Sequence, residues 1–416
     1  MSADLYLGLD LGTSGARALV IDAAGEVVAR AKSTISEHGP NPRDPRTWVL
    51  ATTAAVKAAL AQTDAKRVRA LSVDGTSGTV LAIDARGQPL GEALMYNDEA
   101  EPAGVLAIAE SAPDVSAAHG ATSGLAKAMQ LRALKPNRVL HQADWIAAQF
   151  SGRYVTDTNN ALKTGFDPVG GYWPDWIGDL GFNLGLLPYV FAPGQSVGTV
   201  THEAAAAFGF DASTLVVAGT TDGCASFLAT GAAEVGDAVT AIGTTLTLKL
   251  LSDRPIFAPR YGVYSHRLLG MWLAGGASNT GGGALLPHFT PAEMEALSPQ
   301  LDPDNATGLD YYPLAKPGER FPINDPAFPP RLTPRPEERG RFLQALFEGV
   351  AAVEALGYAR LAELGAPPLR SVRTVGGGAR NSAWTRIRAR VLGAPLADAR
   401  SDEAAYGAAL LARAGA

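Results

Sequence analysis

The opening residues alternate between short apolar runs and Gly/Thr/Ser turns. Leu5-Tyr6-Leu7-Gly8-Leu9 reads as a buried strand, Asp10-Leu11-Gly12-Thr13-Ser14-Gly15 as a turn, and 16–21 as a returning strand. Asp22-Ala23-Ala24-Gly25 turns the chain again into a third strand over 26–31. This order predicts an antiparallel meander. A dinucleotide-binding glycine loop has to lead from a strand into a helix. Gly8, Gly12 and Gly15 lead instead into a second strand, which argues against that loop.

Further along, the pattern predicts a helix over 45–61, a strand over 69–73 running into Asp74-Gly75-Thr76-Ser77-Gly78, and a strand over 79–83 turned back by Asp84-Ala85-Arg86-Gly87. Residues 103–150 read as helix-rich, with a break at Pro136. A strand over 216–218 leads into Gly219-Thr220-Thr221-Asp222-Gly223 and then a helix over 224–230. The strand, Gly-Thr turn, strand pattern recurs as 239–242, Gly243-Thr244-Thr245 and 246–251. Two related cores are therefore expected, a first domain over 1–228 and a second over 229–416, with the last helix near 402–416 packing back on the first. The proline-rich stretch 312–337 reads as an irregular loop, 338–364 as a long helix, and 373–375 as a strand running into Gly376-Gly377-Gly378-Ala379-Arg380-Asn381. Helices at 382–392 and 402–413 complete an α/β chain.

Bulk properties narrow the function classes. A chain of 416 residues has room for two to three domains. With a net charge of −6 and no Lys/Arg-rich run, a nucleic-acid partner is not expected. No uninterrupted apolar stretch of about 18 residues appears, so no membrane span is expected, and the start of the chain does not read as a leader. The lone Cys224 cannot form an intramolecular disulfide and fits a reducing cytoplasm. It reads as a packing residue, and the scattered histidines lack zinc-ligand spacing.

Three Gly/Thr/Ser turns follow strands directly, at 10–15, 243–245 and 376–381. Glycines let backbone N–H groups approach an anion, and the hydroxyls of Thr13, Ser14, Thr244 and Thr245 add donors. Such turns can cradle phosphates without a lysine, and no GxxxxGK[ST] loop occurs. Asp10 and Asp222 each end an apolar strand, where a carboxylate calls for a partner or a task. Asp222 could cap the following helix. Alternatively, the two could serve phosphoryl transfer, one holding Mg²⁺ through water and the other accepting a hydroxyl proton. The turn 376–381 opens a helix whose free N–H groups suit a phosphate or a nucleobase; it could equally be a plain turn with Asn381 as N-cap.

These residues resemble the FGGY carbohydrate kinases. GLDLGTSGAR (8–17) is similar to that family's first phosphate loop, AGTTDGCASF (218–227) to the segment carrying its catalytic aspartate, and AIGTTLTL (241–248) to its second phosphate loop. GGASNTGGGAL (275–285), ERFPINDP (319–326) and GGGARNSAW (376–384) are further family-like stretches, the last resembling the adenosine motif. The resemblance spans nearly the whole chain in the family's order. It implies two actin-like ATPase (ribonuclease H-like) domains with mixed sheets, flanked by helices and separated by a cleft that closes on a sugar and Mg·ATP. It implies Asp222 as the base, Asp10 and Asp222 serving Mg²⁺ through water, and Gly12, Thr13 and Ser14 at the phosphates. Gly243, Thr244, Gly376, Gly377 and Asn381 would line the nucleotide site.

Departures bear on the acceptor. Where the glycerol kinase branch carries an Arg-Glu pair, this chain has Ser77 and Gly78, which leaves room for a longer substrate. The family's Trp-x-Asp-x-Arg stands here as Tyr96-Asn97-Asp98-Glu99-Ala100, without the arginine. VDGTSGTVLAID (73–84) is most similar to the short ribulokinase/xylulokinase-like branch. That implies a ketopentose, D-ribulose first, with contacts from Asp10, Arg17, Ser77 and Asp222, and with Lys127 and Asp144 as lesser candidates. The alternatives are another ketose or polyol, D-xylulose among them, or an actin-like ATPase that phosphorylates nothing and acts as a binding protein. A cytoplasmic monomer or homodimer is expected.

Overall fold

The computed structural model describes residues 4–416. They divide into unit 1, which holds the chain up to Ala229 together with His266–Gly270 and Glu403–Ala416, and unit 2, which holds Thr230–Ser265 and Met271–Asp402.

In unit 1 the predicted meander is formed by β1 (Leu5–Leu11), β2 (Gly15–Asp22) and β3 (Val27–Thr34), each antiparallel to the next. β4 (Val68–Gly75) adds in parallel to the other edge of β1. Two short pairs lie outside this sheet: β5 (Val80–Ile83) with β6 (Arg138–His141), and β7 (Val155–Asp157) with β8 (Tyr189–Phe191). The main sheet is completed by β9 (Ser196–Thr199) and β10 (Leu215–Thr221), in the order β3-β2-β1-β4-β10-β9. β1 is buried on both faces, which fits its nearly continuous apolar run. On one side Leu7, Leu9 and Val20 pack with Trp48, Ala51 and Ala55 of the helix Pro45–Leu60. On the other, Leu19 and Ile21 pack with Ala405, Tyr406 and Ala409 of the helix Ala404–Ala414. β10 shifts register against β4 between Val217 and Thr220, and Gly219 sits at that shift. A β-carbon there would lie 1.8 Å from the Val73 carbonyl oxygen, so only glycine lets the two strands approach.

The second sheet repeats this plan. β11 (Asp237–Ile242) and β12 (Leu246–Ser252) form the antiparallel pair around Gly243-Thr244-Thr245. β13 (Tyr264–Leu268) and β14 (Met271–Ser278) extend it on one side, and β15 (Ser371–Val375) and β16 (Leu396–Ala397) add in parallel on the other. The order β14-β12-β11-β15-β16 matches β3-β2-β1-β4-β10, so the repeat read from the Gly-Thr turns is a repeat of topology.

The helix Arg339–Glu363 is long and apolar enough to span a membrane by length and composition. Phe342, Leu346, Phe347 and Val350 bury it in the core of unit 2. The pattern missed β6 and the strands at 155–157, 189–191, 196–199, 264–268 and 271–278. Most of these are short or interrupted by Gly and polar residues, which leaves no clear period of two.

Candidate active site

The carboxyl ends of β1, β4 and β10, three adjacent parallel strands, place three aspartates together in unit 1. Asp10 and Asp74 are register partners across β1 and β4. Thr220 pairs with Asp74 across β4 and β10, and Asp222 follows as the first residue of the helix Asp222–Ala229. In open α/β sheets, ligands bind at such strand ends.

Each carboxyl has a different setting. Asp10 is 5% exposed, and its Oδ2 accepts a 2.6 Å bond from Arg17 Nη1 on β2, directly opposite. Arg17, a predicted sugar contact, therefore faces Asp10 and extends from it toward solvent. Asp74 is fully buried, and no N–H or O–H donor among the described residues reaches either oxygen. Burial, then the negative charges of Asp10 and Asp222, push its pKa well above the usual carboxylate range. Asp222 is half-buried, and its Oδ1 accepts from the Gly223 N–H at 2.6 Å.

The strand before Asp222 is anchored from below. Asn159 is buried, and its Nδ2 donates to Thr220 Oγ1 (2.9 Å) and to the Arg267 carbonyl (2.7 Å), while its Oδ1 accepts from Arg267 N (2.9 Å). This clamp accounts for His266–Gly270 belonging with unit 1, which a boundary at residue 229 does not anticipate.

The turn after β4 presents Ser77, whose Oγ is buried and without a hydrogen-bond partner among the described residues. Beside it, Asp98 is gripped by both terminal nitrogens of Arg43, with Nη2 to Oδ1 at 2.7 Å, and the guanidinium holds Asp98 below the usual carboxylate range. An arginine from another part of the chain thus pairs with Asp98, although none stands at position 100.

Lys127 and Asp144 are not available to a sugar. Lys127 is fully enclosed, with Nζ donating to three backbone carbonyls. Asp144 Oδ2 accepts from His141 N (3.1 Å) and bonds His141 Nδ1 (3.0 Å) in the interior. Nearby, Asp157 caps Asn159 and Asn160 through Oδ1. Burial, with the Asp144 charge adding to it, pushes Asp157 up to about 7. Its folded pKa is raised, so its contribution to stability is present at low pH and is lost as pH rises through about 7. Asp157→Asn, which keeps a capping oxygen, is expected to flatten the fall in thermal midpoint between pH 6 and pH 8. Equal pH slopes for the variant and the parent would refute this assignment.

Unit 2 holds a pocket of about 770 Å³. Gly243 and Thr244 of the β11–β12 turn, Gly282 and Gly283, and Gly377, Gly378, Arg380 and Asn381 line its polar side. The two turns are tied together, with Gly282 N donating to Gly243 O (2.8 Å) and Gly283 N to Thr244 O (3.0 Å). Gly376 has φ 86°, and a β-carbon there would lie 2.6 Å from the Ile242 carbonyl oxygen. The left-handed conformation and the close approach both call for glycine. Leu285, Leu286, Pro291, Met294, Pro299, Phe347 and Trp384 form an apolar wall, and the Phe347 and Trp384 rings stack at 4.5 Å. Asn381 is the N-cap of the helix Ser382–Leu392: its Oδ1 accepts from Trp384 N (2.9 Å) and its Nδ2 donates to Ser298 Oγ (2.6 Å). It lines the pocket with its side-chain groups already paired. Glycine cradles beside a flat apolar wall suit a triphosphate and a purine.

Sequence reasoning missed Asp74, although it ends an apolar strand as Asp10 does. It also missed Asn159 and the wall at 285–299, whose only local signal is the Thr290/Glu293 capping box.

Two family models match the chain: the FGGY family of carbohydrate kinases, N-terminal domain, over residues 5–114, and the C-terminal domain of the same family over 238–416. A xylulose kinase of Streptomyces coelicolor is 31% identical over 94% of this chain and 84% of its own length. The xylulose kinase of Escherichia coli is 26% identical over 94% of this chain and 86% of its own. Among solved structures, xylulose kinase from Rhodospirillum rubrum superposes with a TM-score of 0.84 at 25% identity, covering 98% of this chain and 89% of that one.

Proposed function

The chain belongs to the FGGY family of carbohydrate kinases, and from that premise we propose that it transfers the γ-phosphoryl group of ATP to a hydroxyl of a 2-ketopentose in the cytoplasm. The observation that carries the mechanism is the row of Asp10, Asp74 and Asp222 at three adjacent strand ends. The relatives' names support D-xylulose as the acceptor. The similarity of segment 73–84 to the ribulokinase/xylulokinase-like branch keeps its C3 epimer, D-ribulose, as the second reading.

In this reading Asp222, half-buried and therefore reachable, accepts the proton of the attacking hydroxyl. Asp10 is oriented by the Arg17 guanidinium. Burial and the neighbouring charges push the Asp74 carboxyl toward its neutral form, which lowers the repulsion a phosphoryl donor meets. The buried, unpartnered Ser77 hydroxyl is a ready partner for a sugar hydroxyl. In unit 2 the glycine turns at 243–244 and 376–378 cradle the phosphates, and the apolar wall takes the base.

Among the described residues no three or more His, Cys, Asp or Glu side chains converge as a direct cation cage. Mg²⁺ keeps several waters and takes one or two carboxylates plus substrate phosphates. Asp10 and Asp222 fit that demand through water. Bound there, the ion would neutralise phosphate charge.

The test is ADP release from Mg·ATP with D-xylulose, D-ribulose, glycerol and gluconate, against a no-sugar control. Stimulation by a ketopentose well above the control is expected, and the ratio between the two epimers decides which reading holds. Stimulation by glycerol or gluconate alone would keep the kinase and overturn the acceptor. Sugar-independent turnover would favour an actin-like ATPase.

A further inference from the structure

Lys127 is an unusual buried cation. It lies on the helix Gly124–Leu131, is 0% exposed, and makes no ion pair among the described residues. Its three N–H groups go to the carbonyls of Gly78 (3.3 Å), Met95 (2.6 Å) and Tyr96 (3.2 Å). The nearest acid, Asp98, is already held by Arg43. Taking an ammonium out of water to meet only neutral carbonyls is costly, and burial lowers the Lys127 pKa to about 8. An apolar residue of similar length would fill the same space at less cost. What the ammonium supplies is a three-way tie between two loops far apart in sequence.

Both loops belong to the surface that presents Ser77. On the turn 76–79, Thr76 N and Oγ1 donate to Gln142 Oε1 (3.0 and 2.7 Å), and the hydroxyls of Thr76 and Thr79 share a bond of 2.6 Å. Thr79 Oγ1 in turn accepts from Tyr96 N (2.9 Å), and Asp98 Oδ2 accepts from Met95 N (2.8 Å). Lys127 closes this lacing from below, one carbonyl away from Ser77. With its own donors engaged inward, it cannot touch a substrate. It can set where the Ser77 hydroxyl and the 95–98 loop stand.

We propose that Lys127 is a positioning residue for the acceptor subsite, locking the 76–79 turn and the 95–98 loop into one rigid surface and so setting sugar affinity and the discrimination between ketopentose epimers. This rests on the reading that Ser77 meets the sugar. A positioned hydroxyl gains affinity because the loops are ordered before binding.

The experiment is steady-state kinetics of Lys127→Met with D-xylulose and D-ribulose as varied substrates, and separately with ATP varied. The expected result is a rise in sugar KM of about 10-fold or more and a loss of epimer preference, with the KM for ATP within about twofold of the parent. Thr79→Val removes the Tyr96 N anchor without touching the ammonium. It should shift sugar KM in the same direction by a smaller factor, and it serves if Lys127→Met does not fold. A parent enzyme that responds to sugars beside variants that keep its sugar KM and epimer ratio would overturn this inference alone. A parent that responds to no sugar would overturn the functional reading beneath it.

Discussion

Replacing Asp222 by alanine is expected to lower kcat by about 10²–10⁴-fold, the range a positioned general base contributes, while leaving much of the ATP affinity intact. The separation follows from where each group sits. Every residue lining the unit 2 pocket proposed for the nucleotide lies between Ile242 and Trp384, whereas Asp222 opens a helix of unit 1 beside Asp10 and Asp74. Stability should fall by no more than about 1 kcal/mol, the cost of an acid lost from a helix N-terminus. Asp222→Asn sharpens the test, because its amide keeps the carboxyl's shape and a local acceptor but cannot take up a proton. Asparagine should be as inactive as alanine. The measurements are kcat with a ketopentose, equilibrium binding of ATP and thermal midpoint. If the asparagine variant turned over near the parental rate, or if activity fell only in proportion to folded protein, Asp222 would be a helix-capping residue and the base would lie elsewhere.

How much of this was legible in the sequence depended on distance along the chain. The meander, the Gly-Thr turns and the two strand-end aspartates are local patterns, and Asp10 and Asp222 were found by them. Asp74 has the same local pattern, Leu71-Ser72-Val73-Asp74, yet its meaning comes from pairing with Asp10 across two parallel strands more than sixty residues apart. Nothing in the neighbourhood of Asp74 announces that register. The sequence offers Lys127 only as a lesser candidate for a sugar contact. The acceptors that engage it stand 31 to 49 residues away and are backbone carbonyls, which no side-chain pattern marks. Asn381 was read both as a nucleotide residue and as an N-cap, and the structure shows why both were open: it lines the pocket while capping the helix. The pocket's apolar wall at 285–299 reads in sequence as an ordinary loop and short helix, because its role depends on facing Phe347 and Trp384 from distant segments.

Arg388→Met should destabilise unit 2 by about 3–5 kcal/mol, the usual consequence of leaving one member of a buried ion pair alone. Arg388 and Glu354 are almost wholly enclosed and paired side on, Nε to Oε2 at 2.6 Å and Nη2 to Oε1 at 2.7 Å. Arg388 Nη1 also donates to Thr374 Oγ1 (2.6 Å) on β15, while Thr240 Oγ1 on β11 donates to Glu354 and shares a 2.8 Å bond with Tyr358. The network therefore ties the two strands that carry the 243–245 and 376–381 turns to the helices Arg339–Glu363 and Ser382–Leu392. Loss of the guanidinium would leave Glu354 buried beside Tyr358 with a single hydroxyl donor. ATP affinity should weaken along with stability, since the turns would lose their common support. The double variant Arg388→Met/Glu354→Leu separates charge from packing. With both charges gone, Thr240 and Tyr358 can still satisfy each other, and replacing a whole buried pair is often close to neutral. Denaturant unfolding of parent, single and double variants measures the difference. A double variant as unstable as the single would mean that the cost lies in lost side-chain shape rather than in an unpaired buried carboxylate.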